Sequence, residues 1–248
     1  MGLPVIGIPL RFARPHITNM DIAQIPSPNF GKRRGGATPD LIVLHYTAMA
    51  TAGAALERLC DPECEVSSHY LIGADGAVAQ LVQESQRAWH AGAGCWGNCN
   101  DVNSRSIGIE LANDGTSPFA AAQMDALEYL MAGVMARWSI PAERVIGHSD
   151  MAPGRKSDPG ARFDWRRLAQ GRLSVWPDAN LCSDLDESWF RDFTATIGYC
   201  ENHSDAELLT AFRLRFRPWA VGPIDAGDLA RAQNIARRYP VDQPDQNP

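Results

Sequence analysis

Two histidines and an aspartate stand where side chains of their types could do chemistry together. His45 terminates one apolar run, LIVLHYT, and His148 terminates another in RVIGHSD. Asp158 lies ten residues further on, in the Pro/Gly-rich stretch APGRKSDPG. Imidazole and carboxylate are favoured zinc ligands, and three protein ligands leave a fourth position open, the pattern of a catalytic zinc site. A lone histidine is more often structural, so this reading requires all three to meet in space. Glu110, in SIGIEL, is a carboxylate on an otherwise apolar run, costly to bury unless it is paired. It reads either as a salt-bridged structural group or as a general base for an attacking water. Lys156 reads either as a solvated surface group or as an ammonium that stabilises an oxyanion. Lys32 and Lys156 are the only lysines in the chain.

These side chains need a scaffold that carries residues 45, 110 and 148 to one place. LIVLHYT at 41–47 and SIGIEL at 106–111 are compact, β-forming runs that suit buried strands. SSHYLIGADGAVAQLV reads as two strands joined at Asp75-Gly76. Thr51 caps an expected helix over 52–60, and Ser117-Pro118 is expected to open the next one. Leu127, Leu130, Met131, Val134, Met135 and Trp138 give that second helix an apolar face. RVIGHSD reads as a short strand, and Asp164 as the cap of a short helix through Leu168. Residues 89–104 read as a long Gly/Asn-rich loop and residues 1–35 as an irregular arm. After a linker over 171–184, three helices are expected at about 186–198, 205–214 and 226–238. Ser204 with Glu207 forms a capping box, and Asp225 caps the last helix.

Composition narrows the class. At 248 residues, one large domain or a medium domain plus a small one fits. Hydrophobic residues at 45% and charged residues at 21% exclude a disordered or collagen-like chain. The net charge of −6 argues against a dedicated nucleic-acid binder. No apolar run is long enough to span a membrane. The first residues, broken by Pro4 and Pro9, do not read as a secretory leader, which points to the cytoplasm. Cys60/Cys64 and Cys95/Cys99 have a weak metal-like spacing. The six cysteines are expected to be reduced thiols, with a second zinc or a disulfide as the alternative.

Taken in order, LIVLHYT, VSSHYLIGADG, RAWHAG, SRSIGIELAN and GHSDMAPGRKSDPG resemble the zinc-dependent N-acetylmuramoyl-L-alanine amidases of the amidase-2 type, over about residues 35–172. That superfamily includes the peptidoglycan recognition proteins. The similarity is greatest to the bacterial group of the cytoplasmic anhydro-muropeptide recycling amidase and its lipoprotein relative. The resemblance implies an α/β fold, a mixed central β-sheet flanked by helices. It implies one catalytic Zn2+ on His45, His148 and Asp158, with Glu110 and Lys156 as catalytic residues. His69 and His90 match histidines near the cleft, read as substrate contacts or as structural. Arg105 is a candidate contact for a muramoyl or peptide carboxylate, and Trp89 is expected to pack rather than bind sugar. The implied reaction is hydrolysis of the amide between N-acetylmuramic (or 1,6-anhydro-N-acetylmuramic) acid and the L-alanine of a stem peptide. The implied partners are peptidoglycan fragments or muropeptides, with no obligate protein partner.

A second resemblance lies in Ala211-Phe212, RFRP at 215–218, Gly222 and Ile224-Asp225, which are similar to a three-helix peptidoglycan-binding module. A helical appendix packed on the catalytic part is the alternative. The expected organisation is an arm over 1–35, a zinc amidase domain over 36–175 and a small three-helix module over 183–240. Such a module accompanies relatives that meet the wall in the periplasm, the compartment implied if the N-terminus is trimmed. A prophage-type endolysin and a non-catalytic peptidoglycan-binding protein are the rival functions. The filled ligand and catalytic positions argue against the second. A generic zinc protease lacks support, since there is no H-E-x-x-H.

Overall fold

A computed structural model describes residues 20–178 and 186–241. Its chain order is β1 (Ile22–Gln24), β2 (Phe30–Lys32), β3 (Leu41–Tyr46), α1 (Ala52–Cys60), β4 (Tyr70–Ile72), β5 (Val78–Gln80) and β6 (Gln86–Ala88). Then come α2 (Val102–Arg105), β7 (Ser106–Leu111), α3 (Ala121–Trp138), β8 (Val145–Gly147), α4 (His148–Met151) and α5 (Trp165–Gln170). The chain closes with α6 (Trp189–Ile197), α7 (Asp205–Phe216) and α8 (Ala226–Arg238). Six strands form one sheet in the order β1-β5-β4-β7-β3-β8. Only β4 and β5 pair antiparallel within it, so the sheet is mixed. The fold is the expected α/β arrangement.

β3 lies inside the sheet between β7 and β8, and its apolar run LIVL suits a strand with both sheet faces covered. Successive side chains of a strand point to opposite faces. Ile42 and Leu44 accordingly join a core with Ile107, Ile109 and the buried face of α3. Leu41 and Val43 join another with Phe190, Phe212 and Phe216 of α6 and α7. The helices at the chain's end therefore share a core with the sheet.

Several expectations need correction. The stretch read as an irregular arm contributes two strands: β1 pairs with β5, and β2 pairs with β6. Ser117 does not open α3. Its N–H and hydroxyl both bond the Asp114 carboxylate in a tight turn, and the helix starts at Ala121. The end of the expected loop, residues 102–104, is helical, in α2 capped by Asp101. Strand β8 stops at Gly147, and His148 begins the one-turn α4. The expectation of reduced thiols fails at Cys95 and Cys200, which form a disulfide across 105 residues of sequence. Cys60, Cys64 and Cys99 are free, whereas Cys182 and part of the expected linker lie outside the described residues. Among the described residues, no helix is long and apolar enough to cross a membrane.

Candidate active site

The site lies at the C-terminal ends of β3, β7 and β8. Pairing of β3 with β7 sets His45 directly beside Glu110, and pairing with β8 brings His148 to the same end. The loop after α4 folds back, and the Ser149 N–H bonds the Asp158 carbonyl at 2.9 Å. Three acceptor atoms then converge. His45 Nδ1 lies 2.9 Å from His148 Nδ1 and 2.9 Å from Asp158 Oδ2, and His148 Nδ1 lies 3.0 Å from the same oxygen. All three residues are buried.

The outer faces of the two imidazoles decide what the inner faces carry. His148 Nε2 lies 2.9 Å from the Ala91 carbonyl, which can only accept, so that nitrogen holds the proton. The Ser106 hydroxyl donates to the Val102 carbonyl at 2.6 Å, which uses its only hydrogen. Its oxygen must then accept from His90 Nε2, 3.1 Å away. His90 Nδ1 is left as an acceptor for His45 Nε2–H at 3.0 Å. Both Nδ1 atoms in the cluster therefore present lone pairs. Burial, with the neighbouring His148, lowers the His45 pKa to about 4, which keeps it neutral. Two lone pairs and an ionised carboxylate facing one another without a donor call for a cation. Two nitrogens and one oxygen form a donor set that suits zinc.

Glu110 completes the arrangement. Burial and the nearby Asp158 charge raise its pKa to about 8, while Lys156 opposes them. Its Oε2 is buried without a hydrogen-bond partner, an orphan acceptor at the floor of the cleft. The cleft, about 430 Å³, is lined by His45, His148, Asp158, Glu110, Lys156 and His90, among others. Lys156 is exposed at its rim. Trp89, expected only to pack, also lines it.

Two candidate contacts lie elsewhere. His69 is fully buried and does not line the cleft. Its Nδ1 accepts from the Gly108 N–H at 2.9 Å, and its Nε2 donates to the Gln86 carbonyl at 3.1 Å, so neither nitrogen is free for substrate. Burial and the Arg33 charge lower its pKa to about 3. Arg105 precedes β7, at the opposite end of that strand from Glu110, and pairs with Asp40. The two stand five positions apart along the chain, roughly 17 Å in extended strand.

Tyr46 and Arg155 were not singled out in the sequence. Both line the cleft. The Tyr46 hydroxyl bonds Ser157 Oγ at 2.9 Å, and Arg155 Nη2 donates to the Ala91 carbonyl at 2.8 Å. Tyr46 directly follows His45 and Arg155 directly precedes Lys156, so adjacency was the available signal.

A mixed sheet with this cluster at its C-terminal strand ends agrees with the match of the sequence to a family profile, N-acetylmuramoyl-L-alanine amidase, over residues 35–161. The chain belongs to this amidase-2 family. Among curated relatives it is 34% identical to the N-acetylmuramoyl-L-alanine amidase AmiD of Escherichia coli K12, over 82% of this chain and 84% of that protein. It is also 34% identical to the 1,6-anhydro-N-acetylmuramyl-L-alanine amidase AmpD of Enterobacter cloacae, over 60% of this chain and 89% of that protein. The solved structure of Escherichia coli AmiD with the substrate anhydro-N-acetylmuramic acid-L-Ala-D-gamma-Glu-L-Lys superimposes with a TM-score of 0.74 at 33% identity. The match covers 85% of this chain and 98% of that one.

Proposed function

We propose that this amidase hydrolyses the amide between the lactyl group of N-acetylmuramic or 1,6-anhydro-N-acetylmuramic acid and the L-alanine of peptidoglycan stem peptides, in cell-wall recycling or turnover. The observation that carries the reading is the convergence of His45, His148 and Asp158 acceptors beside the unpartnered Glu110 carboxylate in one cleft. The three acceptors would hold one zinc ion, which supplies Lewis acidity toward the scissile carbonyl and the attacking water. Glu110 takes a proton from that water as its oxygen bonds the carbonyl carbon. It then delivers the proton to the alanine nitrogen as the C–N bond breaks, leaving a lactyl carboxylate and a free amine. Lys156, at the rim, donates to the tetrahedral oxyanion.

In this reading the helical segment α6–α8 corresponds to the three-helix module expected over 183–240, with its packing on the sheet as the supported part of its role. The setting is proposed as cytoplasmic, the setting of the recycling amidase that the motifs resemble. The Cys95–Cys200 bond favours a second setting, an oxidising compartment such as the periplasm, because disulfides persist there and are rare in the cytosol.

The function is tested by incubating zinc-loaded protein with soluble anhydro-muramoyl peptides and, separately, with intact sacculi. Free stem peptide is then sought by mass spectrometry. Release from the soluble substrate alone supports recycling, and release from both supports a broader wall amidase. Bound zinc with no release from either overturns the reading. Thiol titration of the protein isolated from its native source decides the compartment: Cys95 and Cys200 are blocked in an oxidising one and reactive in the cytosol.

A further inference from the structure

The RAWHAG motif contributes a histidine, His90, that the sequence left as either a substrate contact or a structural group. We infer that His90 is instead a positioning residue, and that the turn at His90 and Ala91 orients both histidines of the metal cluster from behind. The inference rests on the metal reading above.

His90 and Ala91 are consecutive, and each serves a different histidine. His90 Nδ1 accepts from His45 Nε2–H at 3.0 Å, and the Ala91 carbonyl accepts from His148 Nε2–H at 2.9 Å. Each bond holds a proton on the outer nitrogen and leaves the lone pair of the inner one in the cluster. The turn is itself fixed. Asn103 Oδ1 accepts both the His90 and the Ala91 N–H, at 3.0 and 2.9 Å. Ser106, committed to the Val102 carbonyl, accepts from His90 Nε2–H and so prevents the ring from taking its other tautomer. The ring also lies against Gly108 of β7, where a Cβ would sit 2.4 Å from its Cγ. Neither His90 nitrogen is then free for a substrate. Outer partners of this kind fix the tautomer and orientation of ligand histidines, and their loss typically costs about 10–100-fold in metal affinity.

The test compares His90→Leu and His90→Asn with the wild-type protein. Zinc affinity is read by chelator competition, and site geometry by the visible spectrum of the cobalt-substituted protein. Asparagine places an acceptor oxygen where Nδ1 stands; leucine places none. His90→Leu is expected to lose about 10–100-fold in zinc affinity and to alter the cobalt spectrum, and His90→Asn to recover most of both. Wild-type zinc affinity in His90→Leu with a raised KM overturns the inference and returns His90 to the substrate. Loss of the metal-free fold in both variants, seen by circular dichroism, also overturns it and assigns His90 to the core. Failure of the ligand reading is a separate result: His45→Ala would then bind zinc as tightly as wild type.

Discussion

Arg215 of α7 reaches Asp150 of α4, with Nη1 3.2 Å from Oδ2 and both side chains 1% exposed. The same guanidinium donates through Nη2 to the Val145 carbonyl at 2.8 Å. Asp150 also accepts from the Gly147 N–H and the Tyr199 hydroxyl. One arginine from the C-terminal helices thus clasps the chain on both sides of His148. Burial raises the Asp150 pKa despite the Arg215 charge, the sign of a carboxylate that depends on its partner. Removing one member of a buried pair leaves the other charge uncompensated, at a cost of about 3–5 kcal/mol. Arg215→Met is expected to lower unfolding free energy by that amount in a denaturant titration. A loss below about 1 kcal/mol would show that α7 does not brace the site.

Glu110 and Lys156 differ in burial, and their variants separate. Glu110→Gln preserves shape while removing the base, so turnover is expected to fall by about 10²–10⁴ with zinc content unchanged. Lys156→Met removes an oxyanion donor and should cost about 10²–10³ in kcat. Metal analysis beside steady-state kinetics checks both. Loss of zinc in Glu110→Gln would make Glu110 part of the metal cage instead.

Much of this was legible because the central strands are buried on both faces. LIVL carries no alternation and SIGIEL places Ile107, Ile109 and Leu111 on one face, patterns that suit strands of a covered sheet. Helix starts were legible where a side chain caps them, at Thr51, Ser204 and Asp225. The start of α3 was not, because Ser117 spends its hydrogen-bonding groups on Asp114 and Ala120 gives no capping signal. Three-residue strands such as β2 and β6 are too short to show a period. The meeting of residues 45, 110, 148, 156 and 158 was implied by the family resemblance of the motifs that hold them, since their spacing alone does not show it. The placement of His69 and Arg105 was not, since it depends on distant partners: Gly108 and Gln86 for one, Asp40 for the other. The Cys95–Cys200 bond joins residues far apart in sequence, and no local spacing announces it.

Glu84 supplies a pH test remote from the metal cluster. Its buried carboxylate accepts from Tyr70, Arg137 and Trp138. Burial pushes its pKa up, but bonds from Arg137, Tyr70 and Trp138 outweigh this and leave it below the ordinary 4.5. A depressed folded-state pKa stabilises the fold fully above the unfolded value, and that stabilisation is lost as pH falls through the folded one. The acid limb of the stability curve below pH 4.5 should therefore flatten in Glu84→Gln relative to wild type. Equal slopes in the two proteins, measured by denaturant titration at several pH values, would assign the acid sensitivity to other groups.

Asp158 offers the most direct test of the metal reading, because it is the cluster's only charged member when both imidazoles are neutral. Without a cation, the lone pairs of His45 and His148 face the carboxylate at hydrogen-bond distance with no proton between them. A ligand that binds only the folded state raises stability by about 2.7 kcal/mol at a hundred times its Kd. Zinc added to the chelator-stripped wild-type protein should accordingly raise Tm in a concentration-dependent way, and chelator should reverse it. Asp158→Ala keeps two nitrogens but loses the carboxylate, and its Tm should stay flat over the same zinc range. A zinc-dependent rise in that variant equal to wild type would remove Asp158 from the ligand set. The carboxylate would then serve only to hold the two imidazoles, and the third ligand would have to come from Glu110, the other buried carboxylate of the cleft.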